Sequence, residues 1–205
     1  MNLLVEDLPD AVEIDGEVYP IETDWRACLR VILAFEDDQL TPMEKQLVML
    51  GNLYPEGRPP NLKEAILQAM KFLNGGSADE GDQVHHPRLY SFEQDANFIF
   101  AAFRQTHGID LETAQLHWWK FLALFMDLGS ETTFCSLVSF RKRIKSGKAS
   151  KEEMKAYREM RELVDLKEPD RRTLEEKEKE AEFLRQVAEG RKRREEKRKA
   201  AQGQS

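Results

Sequence analysis

The sequence predicts a mainly α-helical fold, a compact bundle of about seven helices with a small N-terminal β-hairpin and a charged C-terminal tail that is helical or disordered. Three observations predict it. Apolar residues recur at helical spacing through most of residues 25–166. Helix-start signals precede those runs. The one stretch of strict alternation lies near the N-terminus around an Asp-Gly pair. The helical domain is placed at residues 1–166, with the hairpin at 11–21, and the extension at 167–205.

The hairpin comes first: Val12 and Ile14 alternate with polar residues, and Asp15-Gly16 is a strong two-residue turn signal before Glu17–Ile21. Two strands alone are marginal, so their apolar face is expected to rest on the helices that follow. Thr23-Asp24 opens the first helix, in which Trp25, Cys28, Leu29, Ile32 and Phe35 share a face. Thr41-Pro42-Met43-Glu44 combines an N-cap, a first-turn proline and a box-closing glutamate, so a second helix is expected to run to about Leu53. Asn61 starts a third, ending at Asn74-Gly75-Gly76. Residues 74–88, rich in Gly, Asp and Ser, are predicted to be a mobile surface loop.

Ser91-Phe92-Glu93-Gln94 reads as another capping box, before a stripe of Ala96, Ile99, Phe100 and Phe103 that Gly108 ends. Asp110 is expected to cap the next helix, which runs through Leu116, Trp119, Phe121, Leu122 and Phe125 to Leu128. That helix is apolar over more than half its circumference, the mark of a central core element. Thr132/Thr133 to Ile144 makes the sixth, with Arg141, Lys142, Arg143 and Lys145 near its negative end. Ser150-Lys151-Glu152-Glu153 caps a seventh. Beyond Pro169, Leu174, Ala181, Leu184 and Ala188 fall at heptad-like intervals, too few for a coiled coil.

Charge divides the chain in the same way. With 34% charged residues, above the roughly 25% usual in globular chains, some segment must carry surplus charge outside the core. Residues 167–205 hold thirteen Lys/Arg and ten Asp/Glu, which leaves the body at net −10 and the tail at +3. An acidic body argues against general binding to nucleic acid; the run Arg191–Lys199 is the exception, and Glu195-Glu196 interrupt it. The tail has three readings: solvated disorder or a lone helix, a partner-binding helix that orders on contact, or a nucleic-acid contact. The N-terminus shows no basic region followed by an apolar run, and no stretch approaches eighteen apolar residues. Neither export nor a membrane span is expected. Cys28 and Cys135, both within apolar helical patterns, are expected to be reduced thiols.

No catalytic, cofactor-binding or metal-ligating set emerges. His85-His86 are adjacent, which rarely aims both rings at one ion, and no further ligand stands at metal spacing nearby. His107 is expected at a helix end and His117 as a packed histidine with a hydrogen-bond partner. The carboxylate pairs within Glu36-Asp37-Asp38, Asp79-Glu80 and Glu152-Glu153 fall at helix ends or in loops, where caps and solvated faces explain them. Gly75, Gly76 and Gly81 lie in no phosphate loop, and no nucleophile-elbow or zincin pattern occurs. A binding protein, not an enzyme, is therefore expected. Adjacent tryptophans on a helix point about 100° apart, so Trp118 and Trp119 are not expected to face one core. Trp118 either covers a neighbouring element of the same domain or lies in a partner surface.

Two segments carry a family resemblance: Phe92–Leu111, with its Ala-x-Phe-x-Gln-x-x-Gly-Ile-Asp-Leu pattern, and Leu116-His117-Trp118-Trp119-Lys120-Phe121. Together they resemble the bacteriophage "gene product fifteen" family of long-tailed phages and prophages of Gram-positive bacteria, over roughly residues 1–166. Arg104 departs from the residues expected at its position, and the charged extension is longer than usual. The family's genes typically stand just before the tape-measure gene, so the resemblance implies a tail assembly chaperone in the cytoplasm of the bacterial host. Its partners would be the tape-measure protein and possibly tail-tube subunits, with no cofactor. His117, Trp118 and Phe121 are the candidate partner-binding residues. The rival readings are a structural tail or head-completion component retained in the virion, an unrecognised enzyme, and a nucleic-acid-binding regulator.

Overall fold

A computed structural model describes residues 5–77 and 88–167, together with the single positions 182 and 185. The chain divides into two units, Met1–Glu168 and Pro169–Ser205. The heptad-like positions Leu174, Ala181, Leu184 and Ala188, the basic run Arg191–Lys199, and the loop segment 78–87 with His85 and His86 lie outside the described residues.

All named elements belong to the first unit. Strands β1 (Ala11–Ile14) and β2 (Glu17–Pro20) form an antiparallel hairpin in which Val12 faces Tyr19 and Ile14 faces Glu17. Asp15 and Gly16 both have positive φ, 54° and 84°, the type I′ geometry that the Asp-Gly pair favours. Val12 and Ile14 turn toward the helical core, as the alternation predicts. The helices follow as α1 (Trp25–Glu36), α2 (Pro42–Leu53), α3 (Leu62–Leu73), α4 (Ala96–His107), α5 (Trp118–Met126), α6 (Thr133–Lys145), α7 (Lys151–Glu159) and the single turn α8 (Arg161–Val164). Helix α1 packs on α2 and α5, α2 on α3, α3 on β1, and α4 on α5 and α6. Among the described residues no helix is long and apolar enough to cross a membrane.

Five helix starts match the sequence reading and show why they form. Asp24, Thr41, Asn61, Thr132 and Ser150 each accept a backbone N–H from the first turn, and Thr41–Glu44 and Ser150–Glu153 close reciprocal capping boxes. Gly108, at φ 67°, ends α4 where expected.

Four features differ from expectation. First, α4 begins at Ala96 and not after Ser91. The Ser91 hydroxyl does accept from Glu93 N (3.2 Å) and Gln94 N (3.3 Å), but it caps only a turn. The Gln94 side chain, expected to fold back on that cap, instead accepts from Lys167 N (2.8 Å). Second, residues 110–117 are not helical, and α5 is shorter than predicted. Asp110 organises one turn through Glu112 N. The Arg26 guanidinium then takes the carbonyls of Leu111 (2.6 Å), Glu112 (2.8 Å) and Ala114 (2.9 Å), so those carbonyls have a partner other than a following helical turn. The strand-like stretch ending there pairs Trp118 N with Thr23 O (2.7 Å) and Trp25 N with Leu116 O (3.1 Å).

Third, Arg141 does not serve the negative end of α6. It is buried in a bidentate pair with Asp95 (2.6 and 2.9 Å), and its remaining N–H groups donate to Val164 O, Leu163 O and Leu89 O. All five guanidinium donors are satisfied, and Asp95 also accepts from Ser91 N (3.0 Å). Fourth, the turn α8, unforeseen in the sequence, ends at two of the carbonyls that Arg141 binds.

Candidate partner-binding surface

The three candidate contact residues sit at the start of α5, and the structure turns them inward. His117 is the N-cap: its Nδ1 accepts from Trp119 N (3.0 Å), and its Nε2 lies 2.9 Å from Pro9 O. A ring nitrogen facing an N–H must accept and one facing a carbonyl must donate, which assigns the neutral Nε2–H tautomer. Trp118 is only 2% exposed and Phe121 only 1%. The Phe121 ring stacks on Trp25 (centroids 5.0 Å), Phe103 (5.0 Å) and Trp118 (5.5 Å). Trp118 and Phe121 thus form the centre of the core and present no partner surface in this fold; His117, with both ring nitrogens engaged, holds the segment leading into the hairpin to the start of α5.

Both tryptophans are buried, contrary to the expectation that adjacent positions could not share a core. They straddle the C-terminal end of α3, which needs donors. Trp118 Nε1 donates to Leu73 O (2.9 Å) and Trp119 Nε1 to Phe72 O (2.8 Å). The same helix end closes with Gly76 N to Lys71 O (2.9 Å), Gly75 N to Phe72 O (3.1 Å) and Asn74 N to Met70 O (3.0 Å), a Schellman arrangement. The last four carbonyls of α3 are therefore all paired. Gly76, at φ 85°, has no room for a side chain: a Cβ there would stand 2.7 Å from Trp119 Cη2.

The exposed apolar surface lies elsewhere, on helices for which the sequence reading named only caps and ends. Helix α2 buries Met49, Leu50 and Leu53 yet leaves Met43 (70% exposed) and Leu47 in solvent; α3 buries Ala65, Ala69 and Phe72 yet exposes Leu62, Leu67 and Met70. The signal was present in the sequence. Both helices are apolar on more than one face, and one face is enough for a core. The exposed rows follow helical spacing, Met43 to Leu47 on α2 and Leu67 to Met70 on α3.

Beside them a cleft of about 590 Å³ opens between β1 and α3, lined among others by Glu13, Glu64, Gln68, Lys71, Phe72 and Trp119. A second hollow of about 390 Å³ shares Gly76 and Trp119 with it and is walled by Leu122, Ala123 and Met126.

Several other titratable groups have structural partners. Glu36 binds Arg88 (2.6 Å) and the Ser91 hydroxyl (3.0 Å). Glu153 accepts from Ser150 N and Arg143 Nε, which together hold its carboxyl below the ordinary value. His107, at the end of α4, has Nε2 2.9 Å from Leu124 O. Burial, with Glu22 and Asp24 nearby, pushes the Cys28 thiol up to about 12. Among the described residues no group of three or more His, Cys, Asp and Glu could hold a metal ion.

The family described as Bacteriophage Gp15 protein matches residues 4–166, a span covering every named element from the hairpin to α8. No curated protein matches the chain, and no solved structure does. With about four-fifths of its length matched, the chain belongs to the bacteriophage Gp15 protein family.

Proposed function

We propose that this protein is a tail assembly chaperone that binds the tape-measure protein and keeps it soluble in the host cytoplasm until tail-tube subunits enclose it. Membership of a bacteriophage family gives the chain a part in phage structure or morphogenesis. The observation that carries the finer reading is the pair of exposed apolar rows on the adjacent helices α2 and α3. A tape-measure chain is long and largely helical, with apolar faces that aggregate until covered. An apolar helix face docks on apolar rows through anchors at i, i+3 and i+4, a contact that releases when a tube subunit competes for it. The net −10 of residues 1–166 keeps a chain decorated with many copies soluble through mutual repulsion. On this reading the protein is a binder without catalytic chemistry, and it leaves before the virion is complete.

The test is co-expression with the tape-measure protein of the same phage or prophage, followed by measurement of the soluble fraction and a pull-down. A soluble complex is expected, and the exposed-row variant Met43→Glu/Leu67→Glu should lose it while keeping the helical circular dichroism of the parent. An insoluble tape-measure protein with no co-purification overturns holding. Mass spectrometry of purified virions should lack the protein; its presence at structural stoichiometry would instead make it a tail or head-completion component.

A further inference from the structure

The cleft between β1 and α3 has a backbone wall that the hairpin leaves open. In a two-residue hairpin the pair flanking the turn, here Ile14 and Glu17, exchanges both ladder bonds, and bonded pairs then recur at every second residue. Val12–Tyr19 is the next bonded pair, and Ile21 N donating to Asp10 O at 2.9 Å confirms the parity. Pro20, which has no N–H, stands at a non-bonded position opposite Ala11, as the same parity requires. The N–H and C=O groups of Ala11 and Glu13 therefore point away from β2, toward the cleft they help to line. Pro9 belongs to the same outward series, and its carbonyl is occupied by His117 Nε2. No described residue pairs the outward groups of Ala11 and Glu13. Among the described residues the edge is thus closed at Pro9 and open over the next two outward positions.

The other walls suit a peptide of definite character. Phe72 and Trp119 give an apolar floor, and Glu13 and Glu64 outnumber Lys71 among the charged groups at the rim. The Asp15 carboxylate is spoken for, since it accepts from Asn61 Nδ2 (2.9 Å). An unpaired strand edge beside a pocketed helix is the architecture of strand addition, in which main-chain bonds give affinity and alternate side chains give specificity.

We infer that β1 accepts an extended segment of a partner protein as a third strand, a segment in which basic residues alternate with apolar ones. Its backbone pairs with Ala11 and Glu13, its apolar side chains rest on Phe72 and Trp119, and its cations face Glu13 and Glu64. This site is separate from the exposed helix rows of the chaperone reading and takes a different conformation of ligand, extended where that reading requires helical.

The probe is the labelled peptide Ac-Thr-Lys-Val-Lys-Val-Lys-Thr, titrated against the full-length protein by fluorescence anisotropy. Three companions are titrated with it: a Glu-for-Lys version, a version N-methylated at alternate backbone positions in each of the two registers, and a cationic amphipathic helix of matched charge. Binding by the parent peptide should weaken about tenfold or more on N-methylation in one register, because methylation removes ladder bonds without changing charge. The Glu version should not bind, and added salt should weaken the parent. Amide exchange supplies an independent reading: the Ala11 and Glu13 N–H groups should gain protection with the peptide present. Equal binding by both N-methylated registers, equal binding by the helical peptide, or unprotected Ala11 and Glu13 amides at saturation overturns strand addition. No binding by the parent peptide at millimolar concentration overturns it as well. None of these outcomes bears on tape-measure holding, which the Met43→Glu/Leu67→Glu variant tests separately.

Discussion

Single residues decide more of this fold than their types suggest, and two glycines show how. Gly76 combines a left-handed backbone with Trp119 Cη2 at 2.7 Å from a would-be Cβ, whereas Gly51 lies in α2 with nothing within 4 Å. Gly76→Ala should therefore cost about 1–3 kcal/mol, from strain at positive φ and displacement of a buried indole. Gly51→Ala should add about 0.5–1 kcal/mol by lowering the entropy of the unfolded chain. Urea midpoints of the two variants, moving in opposite directions, check both values. The Arg141–Asp95 pair is the other case. Arg141→Met alone leaves a carboxylate buried without its cation and should destabilise by about 3–5 kcal/mol. Asp95→Asn together with Arg141→Met removes the orphaned charge and should recover part of that loss. A double-mutant cycle in urea measures the coupling, and strict additivity would show that the two groups do not act as a pair.

At the scale of elements, the helix ends are where pH acts. Glu44 and Glu153 close capping boxes, and backbone and side-chain hydrogen bonds hold both carboxyls below the ordinary value of 4.5. A depressed folded pKa contributes stability that is present above the unfolded value and is lost as pH falls through the folded one. Helix α7, which buries no residue completely, should therefore lose amide protection as the pH falls below the ordinary carboxyl value, before α5 does. Glutamine also closes a capping box and does not titrate, so Glu153→Gln should flatten that pH dependence while leaving α7 formed at neutral pH. Hydrogen exchange resolved by helix reads the difference. Most N-caps were also legible in the sequence, because cap chemistry is local: Thr41, Asn61, Thr132 and Ser150 announce their helices within four residues, whereas the Ser91–Gln94 signal marks only a turn. What could not be read locally was decided by distant partners. Residues 110–117 carry a plausible helix start, but Arg26, more than eighty positions away, claims their carbonyls. Trp118 and Trp119 looked mutually exclusive on one helix until the end of α3 gave each a carbonyl. The same blindness misplaced the candidate contact residues, since an aromatic cluster reads alike at a core centre and at an interface. The exposed rows of α2 and α3, by contrast, left a trace in apolar residues beyond one face.

For the molecule as a whole, the cooperativity of residues 5–167 can be read through one buried thiol. Cys28 is fully buried on α1, within the core cluster that includes Trp25, Phe121 and residues of α2 and α3. Its thiol is pushed up to about 12, chiefly by burial, so in the folded state at pH 8 it is neither accessible nor ionised. Alkylation then requires an opening large enough to expose the core, and its rate reports the free energy of that opening. Cys135 is only partly buried near the start of α6, with Sγ 3.3 Å from Leu128 O, and should react first through local motion. Iodoacetamide labelling of the folded protein should accordingly show two phases. In a Cys135→Ser variant only the slow phase should remain, and urea should accelerate it with the same dependence as global unfolding measured by circular dichroism. Alkali supplies the sign check. The folded thiol keeps its proton to a higher pH than the unfolded one, so between about pH 9 and 12 the unfolded state releases protons that the folded state retains, and stability must fall as pH rises. Cys28→Ala should remove that part of the alkaline loss. Labelling of Cys28 that runs fast and independently of urea would mean that α1 opens without the rest of the bundle, and that the hairpin, α3 and α5 form a smaller cooperative unit than the packing implies.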